Sequence, residues 1–353
     1  MRIIRKSEDS VNFWKLWEKY LSNNLASFHY NKSFLEYLLA YSNNLFKDES
    51  FVVTEGEDVL AIVFCPIEKH NDEFLVGIAN DHIFAPLAIN EKFEKFVYKI
   101  LDEIVDKYSI SKLLFSIDPL INFYREDRYF NSLKKYNFID QSITDSVVSL
   151  QLDINILWTK IRKGHKSIIK GFEKKQGSYE VIIVNRENLN FDLHQAYKKT
   201  HILCAGRQTR SNATFDLQYQ MVKDGHATIF VYVQNSHPVA FNYFFHSQKT
   251  VEYASAAKDS SFEKLSIYHL LLWSAIKYFK ELGYDYMRLT EPTGFSFISG
   301  FGDYSDQKQI AIGRYKRGFG GMNVTHFRGT RYFSKISFDR DIENFMSNFT
   351  NNL

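Results

Sequence analysis

The two halves of this sequence spell out the same order of elements, and few folds can be built from that order twice. The apolar spacing predicts a strand over 2–5, helices over 11–21 and 32–41, and strands over 51–54 and 59–66 around the turn 55–58. A strand over 73–78, a helix over 91–108 and a strand over 112–117 follow, then a helix over 120–136 and two strands within 138–152. The second half opens with a basic helix over 154–175, then repeats the pattern. It has a strand over 179–184, helices over 188–203 and 211–223, strands over 227–233, 238–246 and 250–257, a helix over 262–282 and a strand over 284–289. VGIAND at 76–81 matches ASAAKD at 254–259, and Asp118-Pro119 matches Glu291-Pro292 at the equivalent strand end. The offset between halves stays between about 172 and about 178 residues, as a duplicated unit requires. The reading is two α/β domains with mixed sheets, 1–152 and 153–353, and a tail of a Gly- and Phe-rich loop and a last strand or hairpin over 322–333.

Length and charge agree. At 353 residues, each half is long enough to bury its own core. A composition of 45% apolar and 24% charged residues excludes disorder and collagen, and a net charge of +3 does not by itself announce a nucleic-acid binder. Cys65 and Cys204 are isolated, so no disulfide framework is expected. The start, MRIIRKSEDS, lacks the apolar stretch of a signal peptide, and the longest apolar run, 59–65, is too short to span a bilayer. The expectation is a cytoplasmic protein without a transmembrane segment, open to peripheral membrane contact.

Chemistry narrows the residues of interest. Asp118 and Glu291 sit at equivalent strand ends, where a carboxylate can hold or deprotonate an amine or, before proline, cap a turn or helix. Residues 158–175 carry seven basic side chains, Lys163, Lys166 and Lys170 among them, against the single acid Glu173. Such a face binds phosphates or is simply solvated. Arg207 and Arg210, in a loop after a helix, suit bidentate binding of phosphate or carboxylate. His194 and His201 are two helical turns apart, too far to share one ion, so no metal site is expected.

The order strand–helix–helix–three antiparallel strands–helix–strand–helix–two strands resembles the GNAT acyltransferase fold. Two such units in tandem resemble the Fem-type (FemAB-like) transferases, in a compact form without their helical-hairpin arm. The likeness rests on WTKIRKGHKSIIKGFEKK, Gly206-Arg207, Tyr253-Ala254-Ser255, Leu271-Leu272-Trp273, Gly283-Tyr284-Asp285 and Tyr315-Lys316-Arg317-Gly318-Phe319-Gly320. It implies a fork between the fourth and fifth strands that holds an acyl donor, with Tyr253 lining the channel. It implies that Lys316 steadies the tetrahedral oxyanion, as a fixed ammonium does where a backbone oxyanion hole is missing. Gly318, Gly320 and Gly321 would then let the backbone approach a substrate, and Asp81, in NDHIFAPLA, would bind the amine or cap a turn. The implied activity forms an amide between an activated acyl or aminoacyl group and an amine on a cell-envelope precursor or amino sugar. The implied partners are a phosphorylated sugar or cell-wall precursor and tRNA, with the donor, acyl-CoA or aminoacyl-tRNA, as co-substrate and no bound cofactor. Neither NDHIFAPLAIN nor AKDSSFEK contains the glycines that cradle a CoA pyrophosphate. That absence keeps open a second reading, a non-catalytic tandem GNAT protein that recognises a phosphorylated glycan or tRNA.

Overall fold

The computed structural model describes residues 1–124, 129–175, 177–290 and 307–350. The first half runs β1 (Arg2–Arg5), α1 (Ser10–Asn23), α2 (Lys32–Tyr41), β2 (Leu45–Asp48), β3 (Phe51–Glu55), β4 (Asp58–Val63), β5 (Pro66–His70), β6 (Glu73–Val76), β7 (Ile83–Phe84), β8 (Leu87–Ala88), α3 (Glu91–Tyr108), β9 (Ile110–Ser116), α4 (Pro119–Asn122), β10 (Ile139–Asp140) and β11 (Ile143–Ser149). The second runs α5 (Ile154–Lys160), α6 (Lys163–Glu173), β12 (Glu180–Val184), α7 (Phe191–Ala205), α8 (Asn212–Lys223), β13 (Ala227–Gln234), β14 (His237–Ser247), β15 (Thr250–Lys258), α9 (Ile267–Glu281), β16 (Tyr286–Arg288), α10 (Gln307–Arg317), β17 (Met322–His326), β18 (Arg328–Tyr332) and α11 (Lys335–Thr350).

The chain forms two compact units, but their boundary differs from the cut at 152. One unit comprises 1–144 and 325–350, the other 145–290 and 307–324. In the first, the sheets are ordered β1-β3-β4-β8 and β10-β18-β9-β6-β5-β2. In the second, the order is β12-β13-β14-β15-β16-β11-β17. Each unit therefore takes one strand from the far end of the other half of the sequence. β18 lies antiparallel to β9, Arg328 opposite Ser116 and Tyr332 opposite Lys112. β11 lies antiparallel to β16, Val147 opposite Arg288 and Ser149 opposite Tyr286. The C-terminal segment is fixed to its unit by Lys112–Asp341 at 2.6 Å, Arg331–Asp102 at 2.8 Å and an Arg340–Glu73 pair.

Local sequence accounts for the main elements. In α3 the Asn90 side chain accepts from the Phe93 amide, Glu91 and Glu94 favour the positive end of the helix, and Phe93, Val97, Leu101 and Ile104 form a buried stripe. The central strands β13 and β14 are buried on both faces, which is why they read as continuous apolar runs. The core of the second unit joins Phe230, Phe244, Val251 and Met287 of the sheet to Leu271, Ile276 and Phe279 of α9.

Other expectations give way. The helix expected over 120–136 is the single turn α4 and a 3-10 turn at Ser132–Tyr136. The basic helix breaks at Ile161 and Arg162, both extended, because Ile161 turns into the core and the Arg162 amide donates to Gly318 O at 2.8 Å. The tail contains the helices α10 and α11 as well as the expected strands.

Candidate active site

In the second unit β15 and β16 run parallel over only three residue pairs, Thr250–Tyr286, Val251–Met287 and Glu252–Arg288. β15 then continues to Lys258 with no partner on that side among the described residues. Arg288 marks the branching point. Its buried guanidinium donates to Glu252 on β15 at 2.9 Å and to Asp145 at the start of β11. Immediately past the branch, Ala254 is an extra residue in β15, since Tyr243 faces Ser255 while Phe244 faces Tyr253. Such a bulge re-aims neighbouring side chains. Tyr253 points to the α9 side, stacked on Phe244, while the Ser255 hydroxyl accepts from Tyr197 of α7 at 3.0 Å.

Lys316 lies at this fork, in the last turn of α10 rather than on a turn before a strand. Its Nζ donates to the Thr290 carbonyl at 2.5 Å and sits 5.1 Å from the centre of the Tyr253 ring. The Tyr253 hydroxyl donates to Asn242 Oδ1 at 3.1 Å, and the Tyr315 hydroxyl donates to Tyr268 O at 2.9 Å. Burial pushes both phenols well above their ordinary range, so Tyr253 and Tyr315 stay neutral. The result is a fixed ammonium above a neutral, hydrogen-bonded aromatic floor.

The three glycines after Lys316 are used for packing. A Cβ on Gly318 would strike the His165 ring, one on Gly320 would meet Lys160 O at 2.8 Å, and one on Gly321 would strike the Ser146 hydroxyl. They let the end of α10 pack against α5, α6 and β11 and so fix where Lys316 stands. His165 reinforces the contact by bonding Tyr315 O at 2.9 Å.

The other candidates divide. Arg207 is exposed just beyond the α7 cap Gly206. Arg210 bonds His201 at 2.6 Å and lies over Phe215 at 5.0 Å. On α6, Lys163 and Lys170 are exposed and Lys166 is half-buried, its ammonium 3.3 Å from Thr159 O. Asp118 and Asp81 belong to the first unit. Asp118 is buried, capping α4 through the Leu120 amide at 2.8 Å and pairing with His29 at 3.0 Å. Its structural use is thus helix cap and hydrogen-bond partner of His29. Asp81 is exposed and accepts from the amide and ring of its neighbour His82. Glu291 lies outside the described residues. Sequence reasoning missed Thr290, Tyr315 and Asn242. Asn242 and Tyr253 belong to adjacent strands of one hairpin, a pairing open to inference; nothing in the sequence singles out Thr290.

In the first unit the equivalent fork is closed. β6 pairs in parallel with β9 up to Val76–Leu113, and β7 then resumes parallel pairing with the same strand at Ile83–Phe115 and Phe84–Ser116. The connecting turn has Ala79 and Asn80 at positive φ, a shape whose amides converge on an anion. Those amides already bond the buried Glu68 carboxylate, at 2.8 and 3.1 Å. Among the described residues, no three His, Cys, Asp or Glu side chains gather to hold a metal ion, and no helix is long and apolar enough to cross a membrane.

One unit thus has a parallel pair that separates past a bulge, and the other has the equivalent pair closed by a further short strand. Residues 162–317 match the family model described as acetyltransferase (GNAT) domain. Over 84% of this chain and 90% of the other, the structure is similar to that of FemX, with a TM-score of 0.58 at 12% identity. The chain has the Fem-like tandem GNAT fold. It is also similar to L-PGS from Bacillus licheniformis, with a TM-score of 0.54 at 15% identity over 86% of this chain and 92% of that one. A tandem GNAT protein from the clavulanic acid biosynthesis pathway gives 0.50 at 8% identity over 94% and 98%. No curated protein matches the chain.

Proposed function

We propose that this Fem-like tandem GNAT protein is an N-acyltransferase that works in its second unit alone. An amine attacks the carbonyl carbon of an activated acyl or aminoacyl group lying along the unpaired part of β15. The carbonyl electrons move to oxygen, where the Lys316 ammonium stabilises them. The observation that carries the reading is the placement of that ammonium at the fork, by the Thr290 carbonyl and the Tyr253 ring. The neutral phenols of Tyr253 and Tyr315 add dipoles without a competing charge.

Donor and acceptor follow from the surroundings. The loop before α9 offers no glycine cradle: Asp259 folds it back through the Ser261 amide and hydroxyl, and Lys258 bonds the carbonyls of Glu263 and Leu265, both at 2.9 Å. A loop folded on itself in this way presents no run of free backbone amides to a CoA pyrophosphate, which favours aminoacyl-tRNA over acyl-CoA. The acceptor is a phosphorylated amino sugar or cell-envelope precursor, held through Arg207, Arg210, Lys163, Lys166 and Lys170.

Mass spectrometry of products from acyl-CoA and charged-tRNA donors, offered amino-sugar nucleotides and wall precursors, tests the assignment. Amide formation with one donor class is expected. Apparent KM should rise with salt while kcat falls less, and Lys166→Glu/Lys170→Glu should do the same, because exposed charge is screened as the Debye length drops from about 10 Å at 0.1 M to about 3 Å at 1 M. Phosphate-dependent binding without turnover of any donor would instead make the chain a recognition protein.

A further inference from the structure

Thr290 combines three features that ordinary packing does not require. It is a β-branched residue at φ 55°, a left-handed conformation that such residues avoid. Its carbonyl accepts from Lys316 Nζ. Its hydroxyl oxygen is buried and has no hydrogen-bond partner among the described residues. A strand end that only needed to turn would carry glycine or asparagine here, at less strain. Backbone strain of this kind persists where the surroundings impose it, and it concentrates at functional sites.

A second group repeats the signal. Asn242 is fully buried on β14; one end of its amide accepts from the Tyr253 hydroxyl, and the other end, Nδ2, has no partner among the described residues. Turning the amide over would still leave one polar atom unpaired. Buried polar atoms without partners are rare, and these two flank the pair formed by Lys316 and Tyr253. A polar ligand atom satisfies them.

We propose that Thr290 is a catalytic residue whose hydroxyl donates a hydrogen bond to the developing oxyanion beside Lys316, its left-handed backbone being what aims both its carbonyl at the ammonium and its hydroxyl at the substrate. The proposal rests on the N-acyltransferase reading. In the step, the amine nitrogen forms a bond to the acyl carbon and the C=O electron pair moves to oxygen, held by the Lys316 ammonium and the Thr290 O–H. Collapse of the adduct re-forms C=O and breaks the bond to the leaving ester oxygen or thiol sulfur. The proton lost by the amine passes through water to that leaving group. Thr290 keeps its own proton throughout.

The test compares Thr290→Val, Thr290→Ser and Thr290→Gly in the full chain, with whichever donor and acceptor support wild-type turnover. Valine keeps the shape and loses the hydroxyl, so kcat should fall by about 10²–10³-fold, the usual loss for one oxyanion donor, with KM little changed. Serine should retain most of the rate. Glycine should raise Tm by roughly 2–4 °C by releasing the strain, yet lose rate as valine does. Wild-type-like kcat in Thr290→Val, beside an impaired Lys316→Met, overturns the role of Thr290 and leaves the acyltransferase reading standing. A lower Tm in Thr290→Gly overturns the strain argument. Should the wild-type chain transfer no acyl group from either donor class, the reading itself falls and this proposal with it.

Discussion

The two units share one plan and differ at one place. In the first, the gap between the parallel strands is stitched by β7, and the anion-shaped turn at Ala79 and Asn80 is filled by the chain's own Glu68. In the second, β15 runs past its partner among the described residues, and the Lys316 ammonium stands at the branch. A single buried carboxylate and two residues of strand thus occupy in the first unit the place that stays unpaired in the second. Buried polar atoms without partners occur in both units, but Thr290 and Asn242 are the ones beside this fork.

The comparison is easiest to break at Lys316. Lys316→Met should lower turnover by about 10²–10³-fold while changing the denaturation midpoint far less, because methionine keeps the apolar stem beside the Tyr253 ring and removes only the ammonium. Steady-state kinetics beside urea unfolding would show it, and undiminished turnover would place the chemistry elsewhere. A smaller effect is expected from Glu68→Ala. It strands two amides and a buried site, so it should cost the first unit about 2–3 kcal/mol, with activity per folded molecule unchanged. Loss of activity without loss of stability would mean that the closed fork takes part in the reaction after all.

Acid should separate the units more gently. Burial lowers His194, His201 and His269 to about 4 and His246 to about 3, with the charge of Arg210 adding to the effect on His201. All four lie in the second unit. Their unfolded forms take up protons near 6.5, before the folded ones do, so stability is full above about 6.5 and is lost as pH falls toward 4. The first unit has His82 in this class but depends more on Glu68 and Glu73. Burial raises Glu68, but bonds from His70, Ser42 and the two amides outweigh it, and Arg340 holds Glu73 down. Their contribution survives until the pH drops below the ordinary glutamate value of about 4.3. Hydrogen exchange at stepwise lower pH should therefore show α7 and α9 losing protection before β5 and β6; the reverse order would refute the assignment.

Much of this was legible in the sequence, and the exceptions have physical causes. The hairpin β13–β14, the helices α3 and α9 and the repeat itself announce themselves because their burial is periodic. α10 does not: Gln307–Arg317 is polar on most sides and is held by its last residues, not by an apolar stripe. Lys316 is readable from its motif, whereas the helix contacts of the glycines beside it are not, because the partners, Lys160, His165 and Ser146, lie more than 150 residues away in the sequence. The seating of β18 beside β9 could not be read, because a strand does not state which distant edge it will join.

That seating governs how the protein can be made. β9 is complete once Ser116 has left the ribosome, yet its antiparallel neighbour arrives only with Arg328–Tyr332, a whole further unit later in the sequence. Until then the nascent first unit carries an open sheet edge, a ready template for aggregation. The order of translation thus withholds the final strand from the half that is made first, and the chain is a single unit of biosynthesis although it is two units of structure.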